Sequence, residues 1–352
     1  MKHRTLAAVF ILLFSPLFAG EYNVGYVRLV LNSQYGRFSL YRLVDPVRQR
    51  YEALFMDDDS RTSVVTLNWN GKMYRLGESG EFTIHEAGSP QSPTLIFESA
   101  FAVVALEFTF IATEGSDAAN GVKINFRIEN KSWRRMPAGI RLLLDTKLGE
   151  TTLIPFTTKN RNVEEETIFD NSSGEEFWIS GSPEELSLMG SISSVVDRPP
   201  DRIHIANWKR LNDVPWSLDF VQGRKFNYPP YAVRDSALAY YYDPVRINRG
   251  ESDSFYLLLA SLDSRGFASY RPSTEAAKTA APGSIPDPAD SSSGIAAPPA
   301  MNPAIIRSDY YALQDIINRI TGSLEYGVPI NDEEIKNLED DLDRIRSRYT
   351  GP

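Results

Sequence analysis

GVKINFRIENKSWRRMPAGIRLLLDTKLGE, residues 121–150, decides the fold class of this chain. Its first part alternates without a break. Val122, Ile124, Phe126 and Ile128 fall on one side, and Lys123, Asn125, Arg127 and Glu129 on the other. A period of two marks a strand with one buried and one wet face. Asn130-Lys131-Ser132 then supplies turn chemistry. A second strand follows at 140–145, apolar on both faces until it ends in Asp145 and Thr146, which places it near the middle of the fold. The two are expected to form the strand pair that organises the core.

The text on either side reads the same way. Val27, Leu29 and Leu31 alternate with polar neighbours, a turn follows, and Phe38 and Leu40 lie on the return. Residues 62–69 run into Asn70-Gly71, the strongest short hairpin signal, and 72–76 lead out of it. Further strands are expected at 81–86, 94–99, 103–110, 176–180, 186–193, 202–206, 236–242 and 254–260. Helical periodicity is almost absent from 22 to 270. No repeat with the period of a propeller blade is present. About fifteen short strands with regular turns predict a mainly β fold, a large two-sheet antiparallel β-sandwich over residues 21–270.

The two ends differ in kind. Lys2, His3 and Arg4 precede an apolar run at 6–18, so residues 1–20 read as a signal peptide, too short for a membrane span. A periplasmic product with no stable membrane insertion is expected. The chain has no cysteine, which excludes a lipidated cysteine anchor, disulfides and thiolate metal sites. Residues 271–303, rich in Pro, Ala and Ser, read as a linker. Residues 304–352 carry apolar positions at alternating spacings of three and four, broken at Gly327-Val328-Pro329 and restarted by Asn331 with Glu334 in the capping-box position. This predicts a C-terminal α-helical hairpin. Its seam, Leu313, Ile317, Ile320, Leu338, Leu342 and Ile345, faces a protein partner, a second copy or the sandwich itself. The net charge of −9 argues against nucleic acid or an anionic membrane as the main partner.

Chemistry is sparse. His85 and His204 each stand alone on an expected strand, and no phosphate-binding, nucleophile-elbow, dinucleotide or zinc-protease motif is present. No cofactor and no metal are expected. Asp57-Asp58-Asp59 and Glu164-Glu165-Glu166 read as solvated turns rather than cation sites. The weak catalytic candidates are Asp145 and Asp235. Each stands where an apolar strand meets a loop, so each is either a desolvated carboxyl with a raised pKa or the cap of a turn. Arg141 shares a face with Asp145 but lies about 13 Å along the strand, so the two do not pair directly. With Arg141 and Thr146, the loop residues Asn207, Trp208, Trp216, Tyr228 and Tyr231 form the candidate binding set. Such aromatics either stack on sugars or a partner, or close the sandwich as a lid.

Two phrases carry a resemblance: IRLLLDTKLGE at 140–150 and RDSALAYYYDPVRINRGES at 234–252. They resemble an uncharacterised group of exported β-sandwich proteins of spirochaetes and other bacteria. That group is itself distantly similar to the supersandwich of galactose-mutarotase-like and carbohydrate-active proteins. The phrase VPINDEEIKNLE at 328–339 is similar to tails of spirochaetal periplasmic proteins. The resemblance implies a fold and a compartment and brings no catalytic residues, and this chain lacks the histidine pair that such epimerases use. The expectation is a non-enzymatic periplasmic binding or scaffolding protein. In this reading the sandwich docks on an envelope or flagellar structure and the tethered hairpin recruits a partner. The alternative is a carbohydrate-binding or carbohydrate-processing protein with Asp145, Asp235 and Trp208 around one groove.

Overall fold

The computed structural model describes residues 20–56, 62–146, 148–149, 154–182, 186–193, 196–226, 235–261, 266–279 and Lys336. The expected signal peptide up to residue 19, the hairpin seam (Leu313, Ile317, Ile320, Leu338, Leu342, Ile345), and Tyr228 and Tyr231 lie outside the described residues. All ladders among the described residues are antiparallel, and they form three sheets where two were expected. The largest has nine strands in a path plus one at its side. Their order is β13 (Asn162–Val163), β12 (Phe156–Thr158), β15 (Phe177–Ser182), β16 (Leu186–Ser191), β19 (Ser252–Ser261), β10 (Gly121–Asn130), β9 (Ala102–Ala112), β8 (Ser92–Glu98) and β7 (Thr83–Ser89), with β20 (Arg271–Pro272) on β9. The second, of six strands, runs β14 (Thr167–Phe169), β17 (Arg202–Asn207), β18 (Ser236–Ile247), β11 (Met136–Asp145), β5 (Val64–Trp69) and β6 (Lys72–Arg75). The third joins β21 (Lys278–Thr279) to β1 (Gly20–Val24), β2 (Val27–Asn32), β3 (Arg37–Asp45) and β4 (Arg50–Ala53). Tight turns pair β1 to β4 with one another rather than with the larger sheets, which is why the third sheet exists.

The result is a β-sandwich-like fold with a shared core. Val122, Ile124, Phe126 and Ile128 of β10 bury there with Ala138, Ile140, Leu142 and Leu144 of β11. The strand pair expected from residues 121–150 is therefore corrected. β10 and β11 do not pair. Residues 131–135 carry the chain from one sheet to the other, and the two strands face each other across the core. β10 pairs with β9 and β19, and β11 with β5 and β18. A second crossover, 248–251, links β18 to β19 at the same end. There Asn130 N–H donates to the Glu251 carbonyl at 3.0 Å, and Gly250 N–H to the Asn130 carbonyl at 2.8 Å. The four central strands are thus two chain segments, each crossing the core once.

Details of sequence explain local geometry. Asn70 and Gly71, with φ of 52° and 85°, close the β5–β6 hairpin as their dipeptide predicts. Between the large sheets, Trp178 Nε1 donates to Tyr240 Oη at 2.7 Å, and that hydroxyl donates to the Ser191 carbonyl at 3.0 Å. Gly190 makes this possible, because a Cβ there would meet the Trp178 ring at 2.4 Å. The expected linker starts later than residue 271. Arg271 and Pro272 pair with Ala112 and Ile111, and Lys278 and Thr279 pair with Asn23 and Tyr22. Gly20, placed with the signal peptide, already pairs with Leu31.

Candidate active site

β11 is buried on both faces because its outer face is covered as well. Val64, Leu143, Ala206, Ala237, Ala239 and Tyr241 form a second buried cluster on the outside of the six-stranded sheet. The cover is a six-residue helix, α1 (Trp208–Asp213), and the chain just after it, with Leu211 and Leu218 buried and Trp208, Val214 and Trp216 packed against the same cluster. Asn207 caps α1, its Oδ1 accepting from Arg210 N–H at 3.3 Å.

Arg141 lies under this cover, 1 % exposed. Its guanidinium donates to the Leu211 and Val214 carbonyls and to Tyr241 Oη. These carbonyls sit at and just beyond the helix end, where unpaired carbonyls collect partial negative charge. Arg141 therefore holds the cover down, and its donors are committed to that task. Trp216 stands edge-on to Tyr241, centroids 5.8 Å apart, and closes the middle of the outer face. Thr146 points the other way. It is fully buried and accepts from Ser180 Oγ at 3.4 Å, which ties the end of β11 to the ten-stranded sheet.

Asp145 and Asp235 come together. Asp145 faces Ala237 across the β11–β18 ladder, and Asp235 stands two residues before Ala237. Asp235 itself lies just before β18, and its charge acts on Asp145, which places the two carboxyls near one another. Asp145 is 3 % exposed and its Oδ1 has no hydrogen-bond partner among the described residues. Burial pushes its pKa up to about 7, opposed by a hydrogen bond from Thr62 and reinforced by the charge of Asp235. Asp235 is half-buried, and desolvation raises it to about 6. Its backbone carbonyl accepts from Asn207 Nδ2 at 3.0 Å and from Trp208 N–H at 3.2 Å. Trp208 Nε1 in turn donates to the Thr62 carbonyl at 3.0 Å. Asp145, Asp235, Asn207 and Trp208 thus form one cluster at the end of β11, with Trp208 and Trp216 both part of the cover on the outer face.

Thr62 and Ser63 belong to this cluster, and the sequence does not single them out. Ser63 Oγ accepts from Asp145 N–H at 3.0 Å. No pattern in the sequence marks them beyond their place at the start of β5. His204 lies further along the same face, 5.7 Å from Tyr241 ring to ring, with neither ring nitrogen bonded among the described residues. Burial, then the charges of Arg202, Arg141 and Arg210, lower it to about 4. Glu166 of the expected solvated run is instead buried and paired with Arg210. Among the described residues no cluster of His, Asp and Glu is arranged to hold a metal ion.

No protein-family model matches this chain, and no curated protein does. Among solved structures, it is similar to a putative aldose 1-epimerase from Escherichia coli K12, with 13 % identity, covering 69 % of this chain and 98 % of that one at a TM-score of 0.45. A galactose mutarotase related enzyme from Lactobacillus acidophilus is similar at 9 % identity, covering 70 % and 98 % at a TM-score of 0.45. An aldose epimerase homologue from C. elegans is similar at 10 % identity, covering 68 % and 98 % at a TM-score of 0.41.

Proposed function

We propose that this protein binds and processes a carbohydrate by general acid–base chemistry at the Asp145–Asp235 pair. One observation carries the reading: two neighbouring carboxyls at the junction of β11 and β18, both desolvated and both held above the ordinary carboxylate range. Burial assigns the roles, because the more deeply buried carboxyl is the harder to ionise. Asp145, at about 7, is the group still protonated near neutrality and acts as the acid. Asp235, at about 6 and more exposed, is ionised there and acts as the base. Trp208 offers an indole beside them for the apolar face of a sugar ring. Asn207 positions Asp235 through its backbone carbonyl and starts the helix that carries Trp208.

The chemistry needs Asp145 protonated and Asp235 ionised at the same time. kcat/KM is therefore expected to peak between about pH 6 and 7 and to fall on both sides. The experiment is a glycan array followed by turnover assays on the saccharides that bind. Asp145→Asn and Asp235→Asn should each lower kcat about 100-fold or more while binding persists. Trp208→Ala should mainly raise KM. Absence of binding to any saccharide, or full activity of both Asn variants, would overturn the proposal. Docking of the 304–352 hairpin on a periplasmic partner remains a separate proposal, supported by its heptad spacing.

A further inference from the structure

The two crossovers meet at one end of the sandwich and build a tip unlike the rest of the surface. Residues 131–135 carry Trp133, which is 77 % exposed, the most exposed aromatic side chain among the large hydrophobics described. A single exposed aromatic is ordinary by itself; what sets this one apart is the basic company it keeps. The Arg134 guanidinium lies 5.2 Å from the Trp133 ring centroid. Arg135 is exposed beside it. The end of β18 adds Arg246 and Val245, opposite Pro137 and Ala138, and the 248–251 crossover adds Arg249, all exposed.

The local charge is opposite to that of the chain. Lys131 is paired with Glu98 at 2.6 Å, and the one carboxylate of the 248–251 turn, Glu251, accepts from the neutral Asn248 amide at 2.8 Å, which leaves the arginines in excess. Arg134, Arg135, Arg246 and Arg249 have no carboxylate partner among the described residues. Four arginines without a carboxylate partner among the described residues, one of them over the exposed indole, thus stand at this end of a protein of net charge −9.

We propose that this tip docks the protein peripherally on an anionic phospholipid surface, with Trp133 entering the headgroup layer and the four arginines on lipid phosphates. The shape favours a bilayer over a protein partner. Two short turns present a point rather than the roughly 800 Å² per side of a stable protein interface. Indole rings settle at the membrane–water boundary, and each basic residue near an anionic leaflet adds about fivefold to partitioning. The acidic remainder of the chain would orient the molecule tip first. Asp145 lies at the far end of β11, about 30 Å from Met136 along the strand, so a docked molecule keeps its carboxyl pair away from the surface.

The test is co-sedimentation of the full chain with phosphatidylcholine vesicles with and without phosphatidylglycerol, at low and high salt. Binding is expected only with phosphatidylglycerol, and it should weaken as salt rises. Trp133→Ala and the combined Arg134→Ala, Arg135→Ala, Arg246→Ala, Arg249→Ala variant should each lower partitioning at least tenfold with unchanged melting. Brominated lipid should quench tryptophan emission in the parent and not in Trp133→Ala. No sedimentation at low salt, or equal sedimentation of both variants, would overturn the proposal. So would binding to heparin or nucleic acid that needs the same residues while vesicles are ignored.

Discussion

Asp145 and His204 share one sheet face and oppose each other in pH. A carboxyl held above its ordinary value is ionised in the unfolded chain before it is in the folded one. Stability from Asp145 is therefore intact below about pH 4 and falls as pH rises toward about 7. His204 is held below its ordinary value, so its contribution is intact above about pH 6.5 and is lost as pH falls toward about 4. Asp145→Asn is expected to raise the melting temperature by several degrees at pH 8 and to change it little at pH 4. His204→Leu should flatten the acid limb between about pH 6.5 and 4. Thermal unfolding of both variants across this range checks the signs. The positions of Asp145 and Asp235 were legible, since each stands where an apolar strand meets a loop. Their meeting was not, because it depends on β11 pairing with β18, some ninety residues away in the chain.

At the scale of elements, α1 shows what a pattern search misses. Six residues, WKRLND, are too few to display a helical period, and the loop around them reads only as aromatic-rich. Its anchors are instead polar: Arg141 beneath it, Arg210 paired with buried Glu166, and Trp208 Nε1 on the Thr62 carbonyl. Arg141→Ala would leave the Leu211 and Val214 carbonyls without donors and a void beneath the helix. It is expected to cost about 3 kcal/mol, measured by denaturant unfolding, with a red shift of Trp216 emission as the cover loosens. The strands themselves were readable where one face is wet, as in β2 and β10, and the Asn70-Gly71 hairpin was readable from its dipeptide. The expected pairing of β10 with β11 fails for a physical reason. A five-residue link suits a hairpin and a crossover equally, and only the long-range partners distinguish them.

For the whole molecule, the end of the sandwich is a matter of pairing rather than composition. Pro272 and the Ala-rich text after it suggest a linker, yet β20 and β21 close on β9 and β1. Between them Ser273 N–H donates to the Phe110 carbonyl at 2.8 Å, and Glu275 accepts from Ala119 N–H at 3.2 Å. Removal of residues 304–352 is expected to leave the melting of the sandwich unchanged, and to remove any partner that the hairpin captures in a pull-down. Removal of 271–352 should lower the melting temperature by several degrees. Equal melting of the two truncations would contradict a closing role for β20 and β21.

The double crossover also sets the order in which the chain completes itself as it is made. β10 and β11 emerge early and can pair at once only with β9 and β5. Their other long edges wait for β19 and β18, which arrive as one continuous segment some ninety residues later. Until then two apolar strands stand with open edges, the state most prone to pairing with another chain. The arrival of residues 236–261 seals both sheets in a single event.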